Sequence, residues 1–467
     1  MTCFKNFLLL LLTLSATDLK SQTLTLLKDI KPGSASSFPS DLVVGNDKLW
    51  FTATNTANGA ELWKSNGNSN STEIAFDLNP GTASSFPSRL LFFNNELYFV
   101  ANDGINGNEL WKTNGTLSGS VKLTASPVSS PVFAGGKLAA YNGKVYFPFD
   151  DGIHGSELWS TDGTTAGTHM VKDIGANSIS TSPTDFFIFN NLLYFTGEAP
   201  IDTRALYVTD GSEAGTQMVF NCNEGGCSGF TTFNNALFFI SDDAVFSQPN
   251  LELYKSDGTP AGTQLFKEIN PNSSGALRDL VVSGNKMYFV GDDGINGDEL
   301  WKSDGTVAGT VMVKDIRPGS QGSVVTEITP FKNKVVFEAY SKNGFGSFWI
   351  SDGSAANTFM LDTIIPDLDQ AAIKSIIHKG KLFFNGFKAG KGYEVCVTDG
   401  TIAGTDTAFD INQGIATSAP VFFVKKKSKL YFSATDDQSG NEVFVISDVT
   451  LQPVRNTEKP PVIVPVN

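Results

Sequence analysis

The sequence predicts an all-β chain closed into a single β-propeller of about nine four-stranded blades, and three observations lead there. A triplet ending in Phe recurs at Phe51, Phe99, Phe147, Phe195, Phe239, Phe289, Phe337, Phe384 and Phe432, a step of about 48 residues. A second marker keeps the same pace: Trp63, Trp111, Trp159, Tyr207, Tyr254, Trp301, Trp349, Cys396 and Phe444. Finally, the chain opens after its leader with "TLTLLKDI" (23–30), the tail of a phrase given in full by "ELWKSDGTVAGTVMVKDI" from Glu299.

Residues 1–21 carry Lys5, then the apolar run "NFLLLLLTLSA", then polar residues, which is the pattern of a secretory signal peptide too short to span a bilayer. Cys3 precedes the apolar run, so it does not stand where a lipid-modified cysteine would. The expectation is export to the periplasm, the cell surface or the medium, with no transmembrane segment.

Residues 22–451 hold the repeats, best read in the sixth copy. "LRDLVVS" is strand A and "GN" turns it into "KMYFVGD", strand B; "DGING" leads to "DELWKS", strand C, and "DGTVAG" to "TVMVKDI", strand D. Asp-Gly and Gly-Asn pairs suit tight reversals because Gly accepts positive φ without a Cβ clash. Tyr288 and Phe289 are adjacent on strand B and so point to opposite faces of the sheet, and both faces must be covered. A radial array covers both, whereas an open stack would need polar caps that neither end supplies.

The ninth copy reaches strand C at "NEVFVIS" and has no strand D of its own. The opening segment, 23–30, is the missing strand, and its return closes the ring and hides two sheet edges at once. An eight-bladed ring with one copy displaced is the alternative. Residues 452–467, rich in Pro, read as an extended tail.

A net charge of −14 with dispersed Lys and Arg excludes the basic footprint that nucleic acid requires. Cys222 and Cys227 in "CNEGGC" are placed to close a small disulfide loop in an oxidising compartment, while Cys396 sits in an apolar strand.

"ELWKSDGTVAGT" (299–310) resembles the bacterial ELWxxDGT repeat family, and "ELWSTDGTTAGT" (157–168) and "ELYKSDGTPAGT" (252–263) repeat the likeness, which covers essentially the whole chain after the leader. It implies an exported propeller and no established activity. The motif departs from the pattern at "RALYVTDG", "SFWISDG", "YEVCVTDG" and "EVFVISD" in the fourth, seventh, eighth and ninth copies.

Glu61, Glu109, Glu157, Glu252, Glu299, Glu394 and Glu442 each stand two residues before the strand C marker. Paired carboxylates suit glycoside hydrolysis, but a catalytic group is needed once and these recur, so they read as blade-building contacts. The Asp or Asn of "SDG" and "TNG" recurs likewise and reads as turn chemistry. "DDGIHGSE" and "DDGINGDE" offer oxygens to calcium without EF-hand spacing, and His154, His169 and His378 are scattered rather than convergent.

Divergence between copies concentrates in the B-to-C loops of the fourth and fifth, where Asp202, Arg204, Asp242, Asp243 and Phe246 form the candidate ligand-binding set, next to the Cys222–Cys227 loop. The expected function is a non-catalytic exported propeller, a monomer without a cofactor, that binds a glycan, peptide or partner protein through its B-to-C/D-to-A loop face. A polysaccharide hydrolase or lyase using Asp202, Asp242 and Asp243 is the second reading, and a calcium-stabilised surface scaffold the third. If the loop divergence is drift, the remaining place for a site is the central channel lined by the A strands.

Overall fold

The computed structural model describes residues 22–448 except 127–135, 177, 200–202, 224–225, 243–249, 273–274, 343 and 369–373. The leader and the Pro-rich tail lie outside the described residues. Nine antiparallel sheets follow one another around a ring, with a single short 3₁₀ turn at Ser69–Ser71 as the only helix among the described residues. The protein is a nine-bladed β-propeller.

In the sixth blade, strand A is Arg278–Ser283, B Lys286–Asp292, C Asp298–Ser303 and D Val311–Lys314. Tyr288 packs toward the seventh blade with Val325, Phe337 and Trp349, while its neighbour Phe289 packs toward the fifth with Phe238, Ile240 and Trp301. Adjacent aromatics on one strand thus wedge two blade interfaces, and none of these rings is more than 8% exposed.

The ninth sheet runs Gln22–Leu26, Gly440–Asp448, Lys429–Asp436, Val421–Lys426. The first strand therefore supplies strand D of the last blade, with Leu24 opposite Ile446 and Thr25 opposite Val445. Apolar residues from both ends of the chain, Leu27 and Ile30 with Val443 and Val445, share one core cluster.

The motif glutamates are fully buried and fasten the strand that crosses from one blade to the next. Glu61 accepts the N–H groups of Leu78 and Ser85, Glu157 those of Ile174, Gly175 and Thr181, and Glu394 those of Ile411, Asn412 and Ser418. Each carboxylate thereby satisfies backbone donors that an irregular crossing segment would otherwise bury unpaired. Desolvation outweighs these bonds and pushes the Glu61, Glu157 and Glu394 carboxyls above the ordinary range. The motif aspartate turns the C-to-D corner: Asp304 Oδ1 accepts the N–H of Thr306 at 2.9 Å and its hydroxyl at 2.7 Å.

Candidate active site at the channel collar

The A strands of neighbouring blades lie side by side around the central channel, and seven of them begin with a bulge. In the sixth blade Arg278 pairs with Val290 and the next pair is Val281 with Tyr288, so two residues of strand A face one of strand B. The same skip follows Ser40, Ser88, Thr184, Ser228, Thr326 and Val421. The first bulged residue takes positive φ in every case: Asp41, Arg89, Asp185, Gly229, Asp279, Glu327 and Phe422. Arg89, Glu327 and Phe422 thereby adopt a conformation that residues other than Gly, Asn and Asp rarely take, which marks these three as strained.

Asp41, Arg89, Asp185, Asp279 and Glu327 line cavities along the channel, and with Phe422 they form a collar at the end where the B-to-C loops emerge. The collar is stitched across blades. Asp41 accepts the backbone N–H of Arg89 and faces its guanidinium. Asp279 Oδ2 accepts the backbone N–H of Glu327 at 3.0 Å, and Glu327 in turn accepts the N–H of Leu368. Arg278 braces the pair: its Nη2 donates to Asp298 Oδ2 at 2.8 Å and to the carbonyl of Val325 at 2.9 Å.

Asp279 and Glu327 share a cavity of about 510 Å³. Burial raises both carboxyls. For Asp279 the Glu327 N–H and the Arg278 charge oppose the rise. For Glu327 the Leu368 N–H also opposes burial, but the nearby Asp367 and Glu338 add to it, and the carboxyl is pushed up to about 7. The two groups thus differ in environment although they sit on neighbouring blades, an arrangement that can separate an acid from a base.

In the eighth blade strand A is split into Ile365–Asp367 and Ser375–His378, both paired to Lys381–Lys388. Lys374 and Asp367 form an ion pair of 2.8 Å beside the Glu327 carboxyl.

The loop residues have other places. Asp202, Asp243 and Phe246 lie outside the described residues. Arg204 turns back along its own blade and donates to Thr184 Oγ1 at 2.8 Å and Thr196 Oγ1 at 3.1 Å. Asp242 is buried and accepts the N–H of Asn250 at 2.9 Å, holding the base of its loop. Cys222 and Cys227 form a disulfide joining the end of the fourth blade to strand A of the fifth. Cys396 is a free, buried thiol, raised to about 12 by desolvation.

In the "DDG" loop of the sixth blade Asp293 spends Oδ1 on the N–H groups of Ile295 and Asn296 and Oδ2 on the Asn296 amide. Among the described residues no three His, Cys, Asp or Glu side chains stand together as a metal site, and no helix is long and apolar enough to cross a membrane.

No known family profile matches the chain, and no curated protein does. Solved structures do. A puromycin hydrolase is 13% identical with a TM-score of 0.42 over 86% of this chain, and a prolyl endopeptidase 12% identical with a TM-score of 0.40 over 81%. The β-propeller domain of the Trilobed protease from Pyrococcus furiosus is 14% identical, with a TM-score of 0.33 over 68% of this chain and 97% of its own length. The chain spans 58% of the puromycin hydrolase and 53% of the prolyl endopeptidase.

At such identity the likeness is one of fold. The expectation of a non-catalytic propeller that binds a glycan, peptide or protein through its loop face is corrected on the loop residues themselves. Of the charged groups that face was to present, the two that are described, Arg204 and Asp242, are turned into the fold. The expectation is withdrawn.

Proposed function

We propose that the chain is a peptide hydrolase that works at the channel collar, with Glu327 as general acid and Asp279 as general base. The observation that carries this reading is the cross-blade pair itself: two carboxyls in one cavity, bonded through the Glu327 N–H, with environments that differ. In the reaction ionised Asp279 takes a proton from water as the water oxygen bonds to the scissile carbonyl carbon. Protonated Glu327 gives its proton to the nitrogen as the C–N bond breaks, and proton exchange with solvent resets both. An extended peptide is the substrate class because strand A is the terminal strand of every sheet, so its outer backbone groups face the channel and can pair with a guest main chain.

The same reading takes the chain to be exported and to belong with the ELWxxDGT repeat proteins; the leader at 1–21 and the repeated phrase support both.

The test is digestion of a fluorescence-quenched peptide library from pH 5 to pH 8 by the purified protein. Cleavage should fall about a hundredfold in Glu327→Gln and in Asp279→Asn, with the folded state retained. Absence of cleavage by the wild-type protein, or full activity in both variants, would remove the proposal.

A further inference from the structure

We infer that the cavity between the third and fifth blades receives an aromatic side chain of the substrate, an inference that rests on the peptide hydrolysis proposed above. The cavity is of about 670 Å³ and is walled by the A strands of the third, fourth and fifth blades. Its apolar wall includes Phe187 and Phe230, the two middle members of a column of four rings. Phe187 stacks on Tyr194 at 5.4 Å and on Phe230 at 4.6 Å, and Phe230 stacks on Phe239 at 5.6 Å.

The faces of Phe187 and Phe230 are therefore covered on both sides, and what they offer the cavity is their edges. A ring edge carries positive charge and attracts the negative face of another aromatic. A sugar would instead need an open face to lie on. Ile188, 54% exposed, extends the apolar wall, and exposed Lys137 and Asp185 stand at the rim.

This cavity and the one that holds Asp279 and Glu327 are contiguous. Ser228 and Gly229 line both. Gly229 occupies the bulge position where the other blades named above carry Asp, Arg, Glu or Phe, so among these the collar lacks a side chain only here. With φ of +64° and a Cβ that would meet Ile240 Cδ1 at 3.2 Å and Leu280 Cβ at 3.3 Å, the position favours glycine. A peptide main chain can cross the gap at Gly229 with an aromatic side chain in the first cavity and the next peptide bond at the carboxyl pair.

The test uses two peptides with blocked ends, identical except for a central Phe or Ala, titrated calorimetrically into the wild-type protein and into Glu327→Gln. The Phe peptide should bind both proteins about tenfold tighter than the Ala peptide. Ser228→Trp, an exposed position outside the ring column, should fill the passage and abolish the preference without lowering the melting temperature. Equal binding of the two peptides overturns the inference, as does an unchanged preference in Ser228→Trp or displacement of the Phe peptide by a linear glucan. Preferential binding without cleavage supports the pocket while removing the hydrolytic reading, so the two fail separately.

Discussion

Glu442 accepts the backbone N–H of Lys31 at 3.3 Å and the hydroxyl of Ser37 at 2.7 Å, across 411 and 405 positions of sequence. In the other blades the same bonds join segments of one local run; here they join the two ends of the chain. The carboxylate and the strand pairing of Gln22–Leu26 together are the lock of the ring.

Removal of residues 22–30 should therefore open the ninth blade, lower the melting temperature and expose the Gly440–Asp448 strand to protease. Glu442→Ala should cost about 1–3 kcal/mol by stranding buried backbone donors. Chemical denaturation and limited proteolysis check both. A deletion variant as resistant as the parent would place closure elsewhere.

Trp301 is buried between the fifth and sixth blades, and its Nε1 donates to the carbonyl of Gly291 at 3.0 Å. Trp301→Ala should cost about 3–5 kcal/mol, the usual loss for a large buried ring. A melting temperature within a degree or two of the parent would refute the interface role.

Stability should fall as pH rises from about 4.5 to about 7, because the Glu327 and Glu442 carboxyls are both raised from 4.5 to about 7 by burial. A carboxyl with a folded pKa above its unfolded one holds its proton more tightly when folded. Its contribution is therefore complete below the unfolded value and is lost as pH passes through the folded one. The loss is on the order of 1–3 kcal/mol for each group. Glu442→Gln should flatten the slope of denaturation midpoint against pH across this window; an unaltered slope would contradict the assignment. Cleavage should weaken over the upper part of the same range as Glu327 gives up the proton it must donate.

The blades were legible in the sequence because each carries its own instruction set. Phe289 beside Tyr288 demands two covered faces, Asp304-Gly305 demands a tight corner, and the unpaired "NEVFVIS" demands "TLTLLKDI". Even the limits of single strands agree, Lys286–Asp292 and Asp298–Ser303 being those read from the sequence.

The collar was not legible in the same way. Asp279 and Glu327 sit in A strands that read as alternating apolar segments, and a bulge is a property of how two strands pair rather than of one strand. One signal was present: a charged residue one place after Ser40, Ser88, Thr184, Arg278 and Thr326, in strands otherwise rich in Val, Leu and Phe. The loop set was chosen for its divergence, yet Arg204 and Asp242 serve structural ends, Arg204 bonding the Thr184 and Thr196 hydroxyls of its own sheet and Asp242 the N–H of Asn250.

Reduction of Cys222–Cys227 should cost about 2 kcal/mol, the chain-entropy value for a loop closed over a separation of 5 residues. Because the bridge spans the fourth and fifth blades beside the ring column of Phe187 and Phe230, the same treatment should loosen the Phe-peptide preference. Melts and titrations with and without a phosphine reductant read both effects.

The pairing of Thr23 with Ser447, 424 residues apart, also fixes an order of events in the life of the molecule. A strand at the head of the chain waits without its partner until the last strand has emerged, while eight complete blades can form between them. Closing so long a loop is slow in entropy terms, so the final step of folding should lag behind the blades that precede it. During that interval two strand edges are open at once, one on the Gly440–Asp448 strand of the last blade and one on the opening strand itself. The molecule is then most exposed to domain exchange with a second unfinished copy, and high concentrations of newly made chain should yield strand-swapped dimers that dilution alone does not dissolve.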